Sequence, residues 1–126
     1  MVGIVVVSHS AALAQGVVEL AGQMAGEVVR IAAAGGNAQG GLGTDEGLVR
    51  AAIAEADAGD GVVVLGDLGS AILTIRSILE DGSVPATLAD APVAEGAVSG
   101  AVLASTGADR AAVAAAAEEA RGARKL

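Results

Sequence analysis

The sequence opens on an unbroken apolar run, and this run limits the possible folds more than any other feature. Residues 2–8 read VGIVVVS, and Ile4 to Val7 are four consecutive β-branched residues. A strand with one face in water alternates apolar and polar residues, whereas a continuous apolar run is typical of a strand buried on both faces. Such strands belong to parallel sheets covered by helices, so the run predicts an α/β fold.

The remainder of the chain alternates further strands with amphipathic helices. Strands are predicted at residues 2–8, 27–33, 62–65 and 84–88. Helices are predicted over residues 10–25, 44–56, 70–79, 92–105 and 109–120, with Ser10, Thr44, Ser70 and Asp109 as N-caps and Pro92 in a first turn. The alternation predicts a single domain, residues 1–126, built as a doubly wound, mainly parallel sheet with helices on both faces, for which we assume the strand order 2-1-3-4.

The composition allows a hydrophobic core, but an unusual one. Hydrophobic residues make up 53% of the 126 residues, yet Phe, Tyr and Trp are absent. Val, Ile, Leu and Ala pack densely, but each of them buries less area than an aromatic ring would. We therefore expect a homodimer, because a second copy would add buried surface.

Charge and residue counts exclude several functional classes. The net charge of −8 argues against nucleic acid as a partner, since nucleic-acid binding requires a basic surface. Cysteine is absent and histidine occurs once, so we expect no thiol nucleophile, no metal site and no cofactor. No apolar stretch is long enough to span a membrane, and no basic segment precedes the first strand as in a signal peptide. We expect a soluble cytoplasmic protein.

Polar turns follow three of the predicted strands. His9 follows the first strand, a glycine-rich loop at residues 34–43 leads from the second strand to Thr44, and Asp67 follows the third strand. Parallel sheets bind ligands outside the carboxyl ends of their strands, at the point where the strand order reverses. If the strand order is 2-1-3-4, the first and third strands are neighbours, and His9 and Asp67 would then face each other.

His9 and Asp67 each have two interpretations. His9 is either a structural residue at a helix start or a nucleophile, and its position between two serines at the mouth of a strand favours the nucleophile. A histidine of ordinary pKa, about 6.5, is a usable nucleophile at neutral pH. Asp67 is either an ordinary turn residue or the acceptor of the Nδ1 proton of His9. The second role would fix the tautomer and leave Nε2 free to attack phosphorus.

The glycine-rich loop has no fingerprint of its own. Its glycines allow the backbone to approach a ligand closely. Its N–H groups, together with the N-terminus of the next helix, could bind an anion. The loop lacks the lysine of a P-loop, so nucleotide binding is not predicted. From the residues alone His9 is a candidate nucleophile, and two other classes also remain open: a module that binds a small anionic ligand and a regulatory interaction subunit.

A set of short motifs, taken in order, resembles a known family. The motifs are VSHS at 7–10, LAQG at 13–16, AAGG at 33–36 with LGT at 42–44, DLGSA at 67–71 and DAPVAEGA at 90–97. Together they resemble the phosphotransfer subunit of the dihydroxyacetone kinase, which belongs with the mannose-type IIA proteins of the bacterial phosphoenolpyruvate-dependent phosphotransferase system. The resemblance covers nearly the whole chain and implies the mannose-type IIA fold.

The resemblance also implies a site. His9 would be the phosphorylated residue, carrying the phosphoryl group on Nε2 as a tele-phosphohistidine, with Asp67 orienting its ring. Backbone amides and hydroxyls around it are the candidates to hold the phosphoryl oxygens. These supporting candidates are Ser10, Gly35, Gly36, Thr44, Gly69 and Ser70.

The partners follow from the same resemblance. It implies a homodimeric phosphotransferase subunit that receives phosphate from the carrier HPr. The acceptor would be ADP held on the nucleotide-binding subunit of the kinase, which works with a substrate-binding subunit on dihydroxyacetone. The alternative is a mannose-type sugar component that passes phosphate to a IIB protein. Those relatives usually carry Gly-His-Gly where this chain has Ser8-His9-Ser10, so the kinase branch fits better.

Overall fold

A four-stranded parallel sheet with helices on both faces makes up the fold of residues 1–126, all of which the computed structural model describes. The strands are β1 Gly3–Ser8, β2 Ile31–Gly35, β3 Val62–Gly66 and β4 Ala86–Leu88, in the order β2-β1-β3-β4. The helices are α1 Ala11–Ala25, α2 Glu46–Ala56, α3 Gly69–Leu79, α4 Val93–Ala104 and α5 Arg110–Glu119, followed by a 3₁₀ turn at Ala120–Gly122. The predicted α/β class and the strand order 2-1-3-4 are confirmed.

The first strand is buried on both faces, as its sequence predicts. Ile4 and Val6 point into one core, which α1, α4 and α5 cover. Val5 and Val7 point into a second core on the other side, which α2 and α3 cover. All four side chains are fully buried. The unbroken apolar run therefore reflects a central strand that meets no water on either face.

Small residues bring the helices close to the sheet, which explains how a core without aromatic rings is filled. The buried face of α4 consists of Gly96, Ala97, Gly100, Ala101 and Ala104. A Cβ atom at Gly96 would lie 2.7 Å from Leu65 Cδ2, so α4 can approach β3 this closely only without a side chain there. The short distance between layers leaves no space for larger rings.

Two predicted N-caps and two strand starts are wrong. Asp45 caps α2 in place of Thr44, because its carboxylate accepts the Leu48 N–H at 2.9 Å. The helix α3 starts one residue early, at Gly69, and its N-cap Leu68 offers no side-chain acceptor. The strand β2 begins at residue 31 and not 27, and β4 at residue 86 and not 84. The predicted caps Ser10 and Asp109 are confirmed, with Pro92 directly before α4.

None of the helices combines the length and the apolar character that crossing a bilayer requires.

Candidate active site

The strand register brings the three polar turns together at the carboxyl edge of the sheet. Val7 of β1 lies opposite Gly66 of β3, and the Asp67 N–H donates to the Val7 carbonyl at 3.1 Å. On the other side of β1, Ser8 lies opposite Gly35 of β2. His9 therefore emerges between the start of the glycine-rich loop and Asp67, at the point where the strand order reverses. The predicted approach of His9 to Asp67 is found in the structure.

Two side chains hold the imidazole of His9, one at each ring nitrogen. Nδ1 lies 3.1 Å from Asp67 Oδ1, and Nε2 contacts the hydroxyl of Ser70. An ionised carboxylate can only accept hydrogen bonds, so in the neutral ring the proton belongs on Nδ1 and Nε2 accepts from Ser70. The His9 side chain is 27% exposed, against 9% for Asp67. The ring thus presents its unprotonated nitrogen towards solvent.

The Asp67 carboxylate collects four hydrogen bonds. Oδ2 accepts from the Ser8 hydroxyl at 2.7 Å and from the His9 N–H at 3.1 Å. Oδ1 accepts from the Leu68 N–H at 2.7 Å and from His9 Nδ1. Burial acts to raise the pKa of Asp67, but the bonds from Ser8, His9 and Leu68 outweigh it and lower that pKa below its ordinary value. The carboxylate is therefore ionised at neutral pH and able to accept a hydrogen bond from Nδ1–H of His9.

Ser8 supports Asp67, a role that the sequence did not predict. It is fully buried, the one polar or charged side chain in this protein with that degree of burial. Its oxygen accepts the Ser10 N–H at 3.0 Å while its proton goes to Asp67. A serine ending an otherwise apolar, doubly buried strand is the available signal, because a hydroxyl there needs polar partners.

The residues at the start of α1 and of the glycine-rich loop are mostly occupied by structural contacts. The Ser10 hydroxyl caps α1 through the Leu13 N–H, and its own N–H bonds to Ser8. A Cβ at Gly35 would lie 2.6 Å from Ala11 Cα, so this glycine lets β2 approach the start of α1. The Gly36 N–H donates to the Ser8 carbonyl at 3.1 Å. The Gly43 N–H, also missed, holds the His9 carbonyl at 3.0 Å.

Thr44 and the start of α3 differ in whether their polar groups lie near the ring of His9. The Thr44 hydroxyl oxygen is buried without a hydrogen-bond partner and makes no bond to His9. The first three N–H groups of α3, on Gly69, Ser70 and Ala71, have no acceptor within the chain. Open space surrounds the Cβ position of Gly69. Free N–H groups at a helix N-terminus attract anions, and these lie beside Nε2 of His9.

No group of three or more His, Cys, Asp or Glu side chains that could hold a metal ion is present. The groups that the site brings together are one imidazole, one carboxylate, two hydroxyls and the N-terminus of α3. These groups suit a nucleophilic nitrogen that carries an anionic group.

Comparison with known proteins identifies the class to which this fold and site belong. The chain belongs to the EIIA-man family, described as the PTS system fructose IIA component, whose model matches residues 3–114. That match covers all four strands and the whole of the site. The family resemblance carried by the sequence motifs is confirmed.

Within that family, the similar curated proteins are subunits of one kind of kinase. The chain is 37% identical over 81% of its length to a protein of Listeria innocua named PEP-dependent dihydroxyacetone kinase 2, phosphoryl donor subunit DhaM, and covers 85% of that protein. It is 40% identical over 86% of its length to the phosphoryl donor subunit DhaM of Escherichia coli, of which it spans only 25%. A Lactococcus lactis phosphotransferase subunit DhaM is 35% identical over 84% of this chain.

A solved structure shares the whole fold. The crystal structure of EF1359, a protein of unknown function, superposes with a TM-score of 0.83 at 34% identity, covering 99% of this chain and 98% of that one. The doubly wound architecture is therefore found in a crystal structure of a relative as well.

Proposed function

We propose that this protein is a phosphoryl carrier, in which Nε2 of His9 accepts a phosphoryl group from phosphorylated HPr and passes it to ADP on the nucleotide-binding subunit of a dihydroxyacetone kinase. The observation that carries the proposal is the His9 ring itself. Its Nδ1 lies 3.1 Å from a buried carboxylate, and its Nε2 meets only a serine hydroxyl at the protein surface. The names of the relatives supply the pathway.

The transfer step requires little covalent chemistry from the protein. The lone pair of Nε2 forms a bond to phosphorus while the bond between phosphorus and the donor histidine breaks, and the donor imidazole leaves with that electron pair. The ring of His9 becomes cationic as this happens, and the Asp67 carboxylate stabilises that charge through Nδ1–H. Delivery to ADP is the same displacement with a phosphate oxygen as the attacking atom.

The N-terminus of α3 is the part of the site best suited to hold the transferred group. Ser70 must leave Nε2 before phosphorus can approach, and its hydroxyl can then donate to a phosphoryl oxygen. The unpaired N–H groups of Gly69 and Ser70 add two donors and the positive end of the helix dipole. Ser10, Gly35 and Gly36 support the site mainly by positioning the His9 backbone, since the contacts above already engage them.

Apart from Asp67, the chain segments around His9 carry no charged side chain, and these segments form the face that we expect HPr to contact. Residues 1–18, 31–44 and 68–75 contain no Asp, Glu, Lys or Arg, although the chain has 15 acidic and 7 basic residues. Four exposed leucines lie within these segments, next to or one helical turn away from the site residues. They are Leu13, Leu42, Leu68 and Leu73. We infer that the partner docks through apolar contacts around the phosphoryl group and not through ion pairs.

Phosphorylation of His9 is tested directly by reconstitution. The protein is incubated with phosphoenolpyruvate, enzyme I and HPr, and its intact mass is measured. We expect one added phosphoryl group that is lost in acid, retained in base and absent from His9→Gln. Because His9 is the single histidine, no second phosphohistidine can substitute for it. A folded wild-type protein that gains no phosphoryl group from active HPr would refute the proposal.

The acceptor is tested by a second reconstitution. With the kinase subunits, ADP and dihydroxyacetone present, phosphorylated protein should lose its phosphoryl group as dihydroxyacetone phosphate forms. The alternative, a sugar-transport component, predicts transfer to a IIB protein and none to the ADP-loaded kinase subunit. The sequence Ser8-His9-Ser10 favours the kinase branch, as do the names of the relatives.

The homodimer also remains a proposal. A groove of about 520 Å³ between α1, α4 and the C-terminal segment is largely apolar, with Leu20, Val98 and Ala123 among its lining residues. A second copy covering this groove would add the buried apolar surface that a core without aromatic rings lacks. Sedimentation equilibrium should then give twice the chain mass. The measurement is made near the neutral pH of the cytoplasm, where we expect the carrier to work.

A further inference from the structure

The hydroxyl of Ser8 has a geometry that suggests a role beyond filling the end of a strand. Its oxygen accepts the Ser10 N–H at 3.0 Å, and it lies 2.7 Å from Asp67 Oδ2. With the Ser10 N–H on one side of the oxygen, the hydroxyl proton is directed at the carboxylate. Full burial of Ser8 means that water does not compete for either bond.

The two oxygens of Asp67 have different hydrogen-bond partners. Oδ2 is held by Ser8 and by the His9 N–H, whereas Oδ1 faces Nδ1 of the ring and the Leu68 N–H. Rotation of the carboxylate would break the bond to Ser8 together with the bond to the ring. The position of Oδ1 therefore depends on the partners of Oδ2 as well as on the Leu68 N–H.

We propose that Ser8 is a positioning residue, whose buried hydroxyl fixes the Asp67 carboxylate in the orientation that accepts Nδ1–H of His9 and so leaves Nε2 as the nucleophile. Ser8 acts through Asp67 and does not itself touch the reacting atoms. The same bond favours the ionised form of Asp67, because it stabilises the carboxylate against the effect of burial. The inference rests on the proposed role of His9, but its main test requires no phosphoryl donor.

The main test is the tautomer of His9 in the unphosphorylated protein. Nitrogen-15 chemical shifts separate a protonated from an unprotonated ring nitrogen, and the single histidine gives one unambiguous pair of signals. In the wild-type protein we expect protonated Nδ1 and unprotonated Nε2. In Ser8→Ala we expect the two tautomers to mix, and the Asp67 carboxyl to titrate at higher pH than in the wild type. Ser8→Thr, which keeps the hydroxyl, should restore both properties.

A control matched in residue types and distance separates this effect from the general loss of a short hydrogen bond between a serine and an aspartate. Ser83 donates its hydroxyl to Asp81 at the same distance, 2.7 Å, at the opposite edge of the sheet. Ser83→Ala should leave the His9 tautomer unchanged. Ser8→Cys, with a similar shape and a weak donor, should fall between wild type and Ser8→Ala, and it serves if Ser8→Ala does not fold.

Rates test whether Ser8 acts through Asp67. Ser8→Ala should slow phosphoryl uptake by roughly 10-fold to 100-fold, the usual effect of removing a residue that orients a functional histidine through its partner. In an Asp67→Asn background the same substitution should add less than about 3-fold, because the partner is already lost. A wild-type tautomer in folded Ser8→Ala or Ser8→Cys would overturn the inference, as would full additivity of the two substitutions. Failure of the wild type to be phosphorylated would instead overturn the function proposed for His9.

Discussion

The two edges of the sheet each carry a turn aspartate beside a serine, and the two pairs show what distinguishes a site from a turn. Asp81, at the amino edge, accepts the N–H and the hydroxyl of Ser83, two residues further along. Asp67, at the carboxyl edge, accepts from Ser8 and His9, 59 and 58 residues away. Hydrogen bonds lower the pKa of both carboxyls, those from Ser83 at Asp81 and those led by Ser8 at Asp67.

A lowered carboxyl pKa and a serine partner are therefore common to both turns and identify neither as functional. The difference lies in the origin of the donors. An aspartate bonded only to its own turn stabilises that turn. An aspartate bonded to a distant strand end also fixes how the two segments meet. At Asp67 the segment that it fixes contains the single histidine.

The largest expected effect tests this contrast by changing both aspartates. Asp67→Asn should slow phosphoryl uptake by His9 by about 100-fold, because a neutral amide neither fixes Nδ1–H nor stabilises a cationic ring. Asp81→Asn should change the rate by less than about 2-fold, since exposed turn substitutions act locally. Rapid-quench measurement with phosphorylated HPr gives both rates.

Thermal melts of the two variants are needed alongside the rates, because Asp67 also joins two strand ends. If Asp67→Asn remains folded and transfers at the wild-type rate, Asp67 is an ordinary turn residue and the contrast between the edges fails. An equal loss of rate in Asp81→Asn would show instead that any turn aspartate affects transfer through stability alone.

Glycines provide the second test, this time of stability. Gly82 at the amino edge has a φ of 72° and open space around its Cβ position. Gly82→Ala should therefore cost only the left-handed backbone conformation, about 1 kcal/mol. A Cβ at Gly35 would lie 2.6 Å from Ala11 Cα and 2.7 Å from the Ser10 carbonyl oxygen. Because backbone must move to relieve both contacts, Gly35→Ala should cost about 2 to 3 kcal/mol.

Urea denaturation measures both changes in the free energy of unfolding. Gly35→Ala should also slow phosphoryl transfer, because the displaced start of α1 directly follows His9 and Ser10 along the chain, whereas Gly82→Ala should not. Equal costs at the two positions would mean that the close approach of β2 to α1 is easily relaxed. The loop would then support the site less rigidly than the contacts at Gly35 indicate.

Sequence alone predicted the architecture because its signals are local and strong. The apolar run through Val7 and the regular alternation of strands and helices determined the fold class, whereas the order of the strands was an assumption that the structure confirms. His9 and Asp67 were found because chain topology places both at one edge. Helix starts were harder, since Thr44 and Asp45 are both good caps and only the three-dimensional path of the loop decides between them. Ser8 was missed as a support of Asp67, because its importance comes from a partner 59 residues away.

Ser70 shows a different limit of sequence-based prediction. Serine at a helix start is usually a cap, yet here its hydroxyl meets Nε2 of His9 and the helix begins one residue earlier, without a side-chain cap. The preference of serine for N-cap positions reflects interactions within its own segment of the chain. At the carboxyl edge, a contact between segments overrides that local preference and leaves the first N–H groups of α3 unpaired.

The smallest expected effect is that of ionic strength on the rate of transfer, and it depends on how charged residues are distributed over the two edges. The carboxyl edge carries Asp67, Asp45, Glu46 and Asp90, but residues 1–18, 31–44 and 68–75, which lie around the site, contain no charged side chain. The turns at the amino edge carry Asp57, Asp60, Glu80 and Asp81. Electrostatically steered association falls steeply with ionic strength. If HPr docks on the uncharged segments around His9, kcat/KM for transfer should change by less than about 3-fold between roughly 0.05 and 0.5 M salt.

Two equally exposed apolar residues sharpen this expectation. Leu68 beside the site and Val28 at the other edge are each 61% exposed. Leu68→Gln should raise KM for phosphorylated HPr by about 3-fold to 10-fold while leaving kcat near its wild-type value, because it removes apolar contact from the docking face. Val28→Gln should leave both constants unchanged. A steep salt dependence, together with an unchanged KM in Leu68→Gln, would mean that the partner is guided to His9 by charges elsewhere on the surface. The uncharged segments around His9 would then belong to the site but would not form the docking face.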